Sequence, residues 1–156
     1  MATITDGELI GAEAVAVYNT GTHASPTWVA ITRAKDVSLN ATKSKGTLSS
    51  RASRFKYGRG GLKEIALEMG YLYRRGTDAI WTMLNDSYVN GTIIEFWVGD
   101  GAIALTAAKG WRFYGEVMEF SMEQPLEDAD VYKVSIEPAP YYVSSALVEP
   151  DVYIVP

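Results

Sequence analysis

Few residues in this chain have the type and spacing that chemistry needs. The single histidine, His23, lies in the loop THASP. One imidazole cannot build a histidine-based metal site, and no HExxH spacing is present. As a triad base it would need a nucleophile on a G-x-S-x-G elbow, which is absent, so His23 reads as an exposed loop residue. Glu64 with Glu68, and Glu116 with Glu119, are carboxylate pairs that acid–base chemistry could use, but such pairs are common on solvated faces. Gly58, Gly60 and Gly61 in YGRGGLKE lack the spacing of a phosphate-binding loop and read as a hinge. The acidic run EQPLEDAD lacks the ligand spacing and bracing glycine of a calcium loop, and reads as a solvated turn between strands. With no cysteine there is neither a disulfide nor a thiolate metal site. These features predict a protein that is not an enzyme and carries no cofactor and no metal.

Charge is the stronger signal. The stretch TKSKGTLSSRASRFKYGRGG, Thr42 to Gly61, carries Lys43, Lys45, Arg51, Arg54, Lys56 and Arg59 and no acid, although the formal net charge of the chain is -5. The interval from Glu116 to Asp130 is the reverse, with Glu116, Glu119, Glu123, Glu127, Asp128 and Asp130 and no base. A basic arm on an acidic chain grips either a polyanion or an acidic protein surface, and another copy of the same chain is one such surface. Phe55 and Tyr57 interleave with the cations as in a single-strand nucleic-acid binder. Against that reading, a pI near 4.9 sets the field of the remaining charges against phosphate.

The elements that must position these groups are mostly strands. A chain of 156 residues, 47% hydrophobic and 21% charged, is sized and composed as one globular domain spanning 1–156. Ala14–Tyr18, Trp28–Thr32 and Asp36–Asn40 read as strands. The basic arm, at about 42–61, reads as an extended loop or long hairpin that orders on meeting a partner. Leu62–Tyr73 fits a helix or a strand, with the tyrosines and Gly70 favouring the strand, on which Ile65, Leu67, Met69 and Tyr71 share one face. Thr77–Val89 reads as a helix capped by Thr77, with Asp78 in its first turn and Asn90-Gly91 at its end. Thr92–Val98, Trp111–Met122 and Asp130–Glu137 return to strand. The tail at about 141–156 has no turn signal and reads as an edge strand or a swapped arm. The fold class is mainly β (α+β): a β-sandwich or split barrel with one flanking helix and a long extended arm. Asp6, Glu8 and Glu13 interrupt the N-terminal apolar residues, and no run approaches a bilayer span, so a soluble, cytoplasmically made protein without membrane contact is expected.

The segments TWVAITRAKDVSLN, the arm through GLKEIALEMG, and GEVMEFSMEQPLEDADVYKVSIEPAP together resemble the major tail protein, or tail tube protein, of long-tailed bacteriophages and the similar protein of gene transfer agents. The likeness runs from Thr27 to Pro140 and lies in the order of elements and loop sizes. It implies a structural virion protein, made in the host bacterial cytoplasm and resident in the tail. Six copies would form a ring, and rings would stack into a tube that duplex DNA crosses as non-adhering cargo. Terminator, tape measure and baseplate proteins would be further partners. On this reading Lys43, Lys45, Arg51, Arg54, Lys56 and Arg59 form an inter-ring arm, and Glu123, Glu127, Asp128 and Asp130 are its acidic partner surface. Glu64, Glu68, Glu95, Glu119 and Glu137 face the lumen, where carboxylates repel phosphate. Tyr71, Tyr73, Trp97, Trp111 and Tyr132 are expected in the core or a subunit interface. A head–tail connector or tail terminator is the nearest alternative. A nucleic-acid-binding β domain using the arm is the alternative of a different class.

Overall fold

A computed structural model describes residues 16–49, 51, 54–100, 107–124, 126 and 130–156. The elements in chain order are β1 (Ala16–Asn19), β2 (Trp28–Ala30), β3 (Ala34–Leu48), β4 (Tyr57–Leu72), α1 (Ala79–Asn90), β5 (Ile94–Gly99), β6 (Lys109–Glu123), β7 (Val131–Pro138), β8 (Tyr142–Val143), β9 (Ala146–Leu147) and β10 (Asp151–Ile154). The main sheet runs β2-β1-β5-β6-β7-β4-β3, antiparallel throughout, and β10 adds to it alongside β6. Its two end strands, β2 and β3, are separated in the chain only by Ile31–Arg33. That linker is tied to both ends: Ile31 N–H donates to the Ala16 carbonyl and Arg33 carbonyl accepts from Leu72 N–H, each at 3.0 Å. The sheet therefore curls back toward itself but stays open between β2 and β3, as a split barrel rather than two stacked sheets.

Alternation along each strand decides which face is buried. Ala16 and Tyr18 of β1, Ile94 and Phe96 of β5, Phe113 and Val117 of β6, Val134 and Ile136 of β7, and Leu67, Met69 and Tyr71 of β4 turn inward and pack as one core. Leu84 of α1 completes it, fully buried. The helix occupies the flank of β6 left vacant where β5 ends opposite Gly115. Buried Ser87 makes the join there: its hydroxyl donates to the Thr92 carbonyl at 2.7 Å and accepts from Val117 N–H at 3.1 Å. Gly91, at φ 69°, ends the helix in the left-handed conformation, its N–H donating to the Ser87 carbonyl.

Three expectations need correction. The helix cap is Asp78, not Thr77, because the Asp78 carboxylate accepts both Trp81 N–H at 3.1 Å and the Tyr71 hydroxyl at 2.7 Å, tying the helix start to a core strand. Gly58, Gly60 and Gly61 are not a hinge but lie within β4, which continues unbroken. The tail does turn: β8 and β9 form a small hairpin through Ser144 (φ 50°) and Ser145 (φ 67°), a left-handed pair more usual for Asn and Gly and so without a turn signature. Beyond it, β10 pairs with Lys109–Arg112 of β6, making the tail an edge strand of its own chain.

Burial pushes the Tyr71 hydroxyl well above the usual tyrosine range, and its bond to Asp78 pushes further. Burial opposes ionisation of Asp78, but the Tyr71 hydroxyl and the amides of Trp81 and Arg74 outweigh it and hold this carboxyl below the usual aspartate value. Removing the hydroxyl in Tyr71→Phe is expected to cost about 1–2 kcal/mol in urea unfolding at pH 7. A depressed carboxylate contributes fully above the unfolded aspartate value of about 3.9 and loses its contribution as pH falls through the lower folded value. The penalty of Tyr71→Phe should accordingly shrink below that pH; an unchanged difference at pH 2.5 and pH 7 would refute the coupling.

Candidate assembly surfaces

The outward face of β3, β4, β7 and the C-terminal half of β6 is polar. Registered pairs place Ser38 beside Glu68, Thr42 beside Glu64, Glu68 beside Ser135, Glu119 beside Ser135, Ser121 beside Lys133, and Glu116 beside Glu137. Glu64, Glu68, Glu119 and Glu137, expected to act together, do share this face, along with Glu123, Lys35 and Lys133. A bulge at Met118, where β6 has one residue more than β7, keeps Phe120 inward and Glu119 outward after the alternation would have reversed them. The only ion pair on this face among the described residues is Lys133 to Glu119, at 3.6 Å and largely exposed.

Both sides of this four-strand unit lack a strand partner along all or part of their length among the described residues. The outer side of β3 has no strand partner, and β6 has none beyond Gly115 on the β5 side. Exposed apolar groups collect at the second edge: Met118, Met122, Tyr88 and Val89 are each about half exposed or more.

The basic arm is a two-stranded ribbon. β3 and β4 pair out to Leu48 opposite Tyr57, far past the level of Ile65, where β7 stops at Pro138. Seven residues of β3 project beyond that level, about 23 Å at 3.3 Å per residue. Lys43 and Lys45 lie on β3 and Arg59 on β4, while Arg51, Arg54 and Lys56 belong to the connection between them. Lys43, Lys45 and Lys63 prolong the core-side face defined by Leu39, Ala41, Ile65 and Leu67, and so lie opposite the glutamate face; Arg59 alternates onto the glutamate side. Of the expected acidic partner surface, exposed Glu123 ends β6 and half-buried Asp130 precedes β7, its carbonyl accepting from Tyr73 N–H at 3.2 Å. Glu127 and Asp128 lie outside the described residues. Glu123 pairs with Val131, which is level with Leu72, so this acidic end and the ribbon occupy opposite ends of the sheet. Arg33, Lys35, Arg74 and Arg75 share the acidic end, making its charge mixed.

Glu95 is the exception among the expected lumen residues. Its alternation is outward, but on β5 that face is covered, and the residue is 3% exposed. Arg112 Nε donates to its carboxylate, Asn19 Nδ2 donates to it at 2.6 Å, and His23 Nδ1 lies 2.8 Å away. Arg112 is flanked by the rings of Trp28 at 5.3 Å and Tyr153 at 5.2 Å, and donates to the His23 carbonyl. Burial and the Glu95 charge push the neighbouring Tyr114 hydroxyl up to about 12. His23 is thus a half-buried partner in an ion-paired cluster, not an exposed bystander. Sequence reading missed the cluster because it needs the β5–β6 register, which sets Trp97 against Arg112 and Glu95 against Tyr114. Of the aromatics expected inside, Tyr71 and Trp97 are fully buried; Tyr73 and Tyr132 join Trp81 and Phe120 in a half-buried ring cluster, and Trp111 is half-buried.

A scan against protein-family models and a search of curated proteins each found no match. Solved structures do match in fold. The SPP1 tail tube aligns with a TM-score of 0.69 at 14% identity, over 93% of this chain and 78% of that one. The tail of an empty gene transfer agent particle, refined helically with C6 symmetry, aligns at 0.68 and 10% identity, over 90% and 98%. The sheath/tube terminator of an extracellular contractile injection system aligns at 0.65 and 8% identity, over 96% and 99%. This chain has the tail-tube fold.

Arg112→Ala would leave Glu95 charged and buried without its cation, and should destabilise by about 3–5 kcal/mol in urea unfolding. Glu119→Gln breaks only an exposed pair and should change stability by less than about 0.5 kcal/mol. Equal effects would contradict the contrast drawn between the two halves of this outward face.

Proposed function

We propose that this chain is a structural tail-tube subunit that self-assembles into stacked rings around a lumen crossed by double-stranded DNA. The carrying observation is the four-strand unit β3-β4-β7-β6, apolar on one face, glutamate-rich on the other, and without a strand partner among the described residues along the outer side of β3 and along β6 beyond Gly115. An unpaired strand edge is a liability in a monomer and a ready joint in a ring, because the next copy supplies the missing hydrogen bonds. Joining the β3 edge of one copy to the Met118–Glu123 edge of the next makes a continuous wall whose glutamate face lines the interior. Six copies per ring follow the C6 symmetry of the gene transfer agent tail, and a ring multiplies the net charge of -5 carried by each copy. Such a wall repels phosphate and lets DNA pass without sticking. The basic ribbon at one end of the sheet, with Glu123 and Asp130 at the other, supports head-to-tail stacking, a heterologous contact that propagates. Other tail proteins would meet the tube at its ends, and the chain would reside in the virion tail after synthesis in the bacterial cytoplasm.

The likeness to a tube terminator favours a second reading, a subunit that makes one closing ring. The two readings separate by length: a tube subunit polymerises, a terminator stops. Concentrated purified protein is expected to form open-ended tubes by negative-stain microscopy and to leave duplex DNA unshifted in a low-salt gel. Rings that never elongate would favour the terminator. A monomer that binds duplex DNA tightly, with affinity falling steeply in salt, would defeat both.

A further inference from the structure

The ribbon carries an arrangement that its charge alone does not explain. Lys43 and Lys63 are directly opposed across β3 and β4, and Lys45 follows two residues on. Like charges directly opposite on a sheet destabilise it. Among the described residues none of the three has an ion-pair partner.

The glycines diagonal to Lys43 and Lys45 show where these two side chains lie: Gly60 is registered with Lys45 and Gly58 with Thr47. A Cβ placed on Gly60 would fall 2.2 Å from Lys43 Cε and 2.7 Å from its Nζ. A Cβ placed on Gly58 would fall 2.5 Å from Lys45 Cε. Both lysine stems are therefore laid across the β4 backbone through the space that a side chain would fill. Their ammonium ends lie over β4, 2.7 Å and 3.5 Å from those Cβ positions, on a stretch where β4 has no strand partner other than β3 among the described residues. Glycine in a strand interior is itself unfavourable, so two at these positions weaken the ribbon as an isolated object.

We propose that Gly58 and Gly60 are positioning residues: they seat Lys43 and Lys45 over the β4 backbone, so that their ammonium groups, with Lys63, form a cationic cluster on that face of the ribbon that receives carboxylates of a second copy. This rests on the tube reading and names the contact within it. The carboxylates are those of Glu123 and Asp130. Glu123 is exposed and has no ion pair among the described residues. Within one copy the two sets cannot meet. Lys63 and Leu72 are nine residues apart on β4, about 30 Å, and Leu72 is level with the acidic end. Phosphate is the weaker candidate for the same lysines, because the chain's net charge of -5 sets the field of its other groups against a polyanion.

The distinguishing variant is Gly58→Ala with Gly60→Ala in the full chain. The atoms that a new Cβ meets are the far ends of flexible side chains, so the lysines move and the backbone need not. Alanine also suits a strand better than glycine. Stability to heat is expected to hold or rise, while the protein concentration needed for tubes rises about tenfold at low salt. Lys43→Ala with Lys45→Ala should raise it similarly and flatten its salt dependence. Charge reversal, Lys43→Glu with Lys45→Glu, should abolish tubes, and adding Glu123→Lys and Asp130→Lys should restore them.

Wild-type tubes matched by the glycine variant would overturn the seating role, and charge reversal without rescue would overturn the choice of carboxylates. Salt-sensitive duplex DNA binding lost in the lysine variant would assign the cluster to phosphate instead. Wild-type protein that stays monomeric at every concentration would overturn the tube reading itself, and this contact with it.

Discussion

An antiparallel sheet can bury one face and give the other to water, and in β3, β4, β7 and β6 that asymmetry governs everything else. Side chains alternate, so the residues that make the core also decide which residues cannot enter it. Leu67, Met69 and Tyr71 turn inward only if Glu64 and Glu68 turn outward. The outward face is consequently polar along its whole width, which keeps a broad sheet soluble on that side. What it cannot do is satisfy the backbone at its margins. Two margins that lack a strand partner among the described residues, the outer side of β3 and β6 beyond Gly115, are the physical basis for proposing the chain as part of a closed wall with the glutamates as its lining.

The same sheet treats its outward face differently where β5 lies. There the β1–β2 turn and the C-terminal segment cover it. Trp97 lies fully buried over Gly99 and Gly110, whose lack of side chains admits its indole. Tyr141 stacks on Tyr114 with centroids 4.0 Å apart. A carboxylate on this half needs a cation, and Arg112 serves Glu95 while its guanidinium also lies over the rings of Trp28 and Tyr153. β6 joins the two regimes. Its first residues lie between β5 and β10; its last are paired on one side only, by β7. The changeover comes at Gly115 and the Met118 bulge, and Ser87 of the helix caps the backbone there. This double cover makes the β5 half a firm base from which the exposed unit extends.

Much of this was legible beforehand. The strands, the single helix and the polar ribbon follow from alternation, helix periodicity and charge. Four of the five glutamates assigned to one face share it, because period two is a local property that survives without knowledge of neighbours. Glu95 obeyed the same rule and still ended up buried, since cover comes from residues remote in sequence. His23 was misjudged for that reason: nothing near it in the chain announces Glu95 or Arg112. Thr77 lost the cap to Asp78 because Tyr71, on another element, offered Asp78 a second hydrogen bond. The Ser144-Ser145 turn went unseen because its residues are not those that usually adopt left-handed backbone. Local rules thus located the elements and faces, while each failure traces to a partner that only the fold brings near.

The ribbon makes clearest why one set of residues can serve two states. A free two-stranded projection with open edges invites pairing with any other such edge. Lysines on the ribbon discourage such pairing, since two ribbons that approach each other bring like charges together. In an isolated copy Lys43, Lys45 and Lys63 therefore protect the arm from its own kind. Against a carboxylate the same charges reverse their effect, and repulsion within the ribbon becomes attraction across the joint. Gly58 and Gly60, diagonal to Lys45 and Lys43, sharpen this choice, because a stem lying over the β4 backbone holds its ammonium on the ribbon rather than free in solvent. Selectivity then needs no catalytic chemistry and no cofactor: the approaching edge is admitted if it is acidic and refused if it is basic.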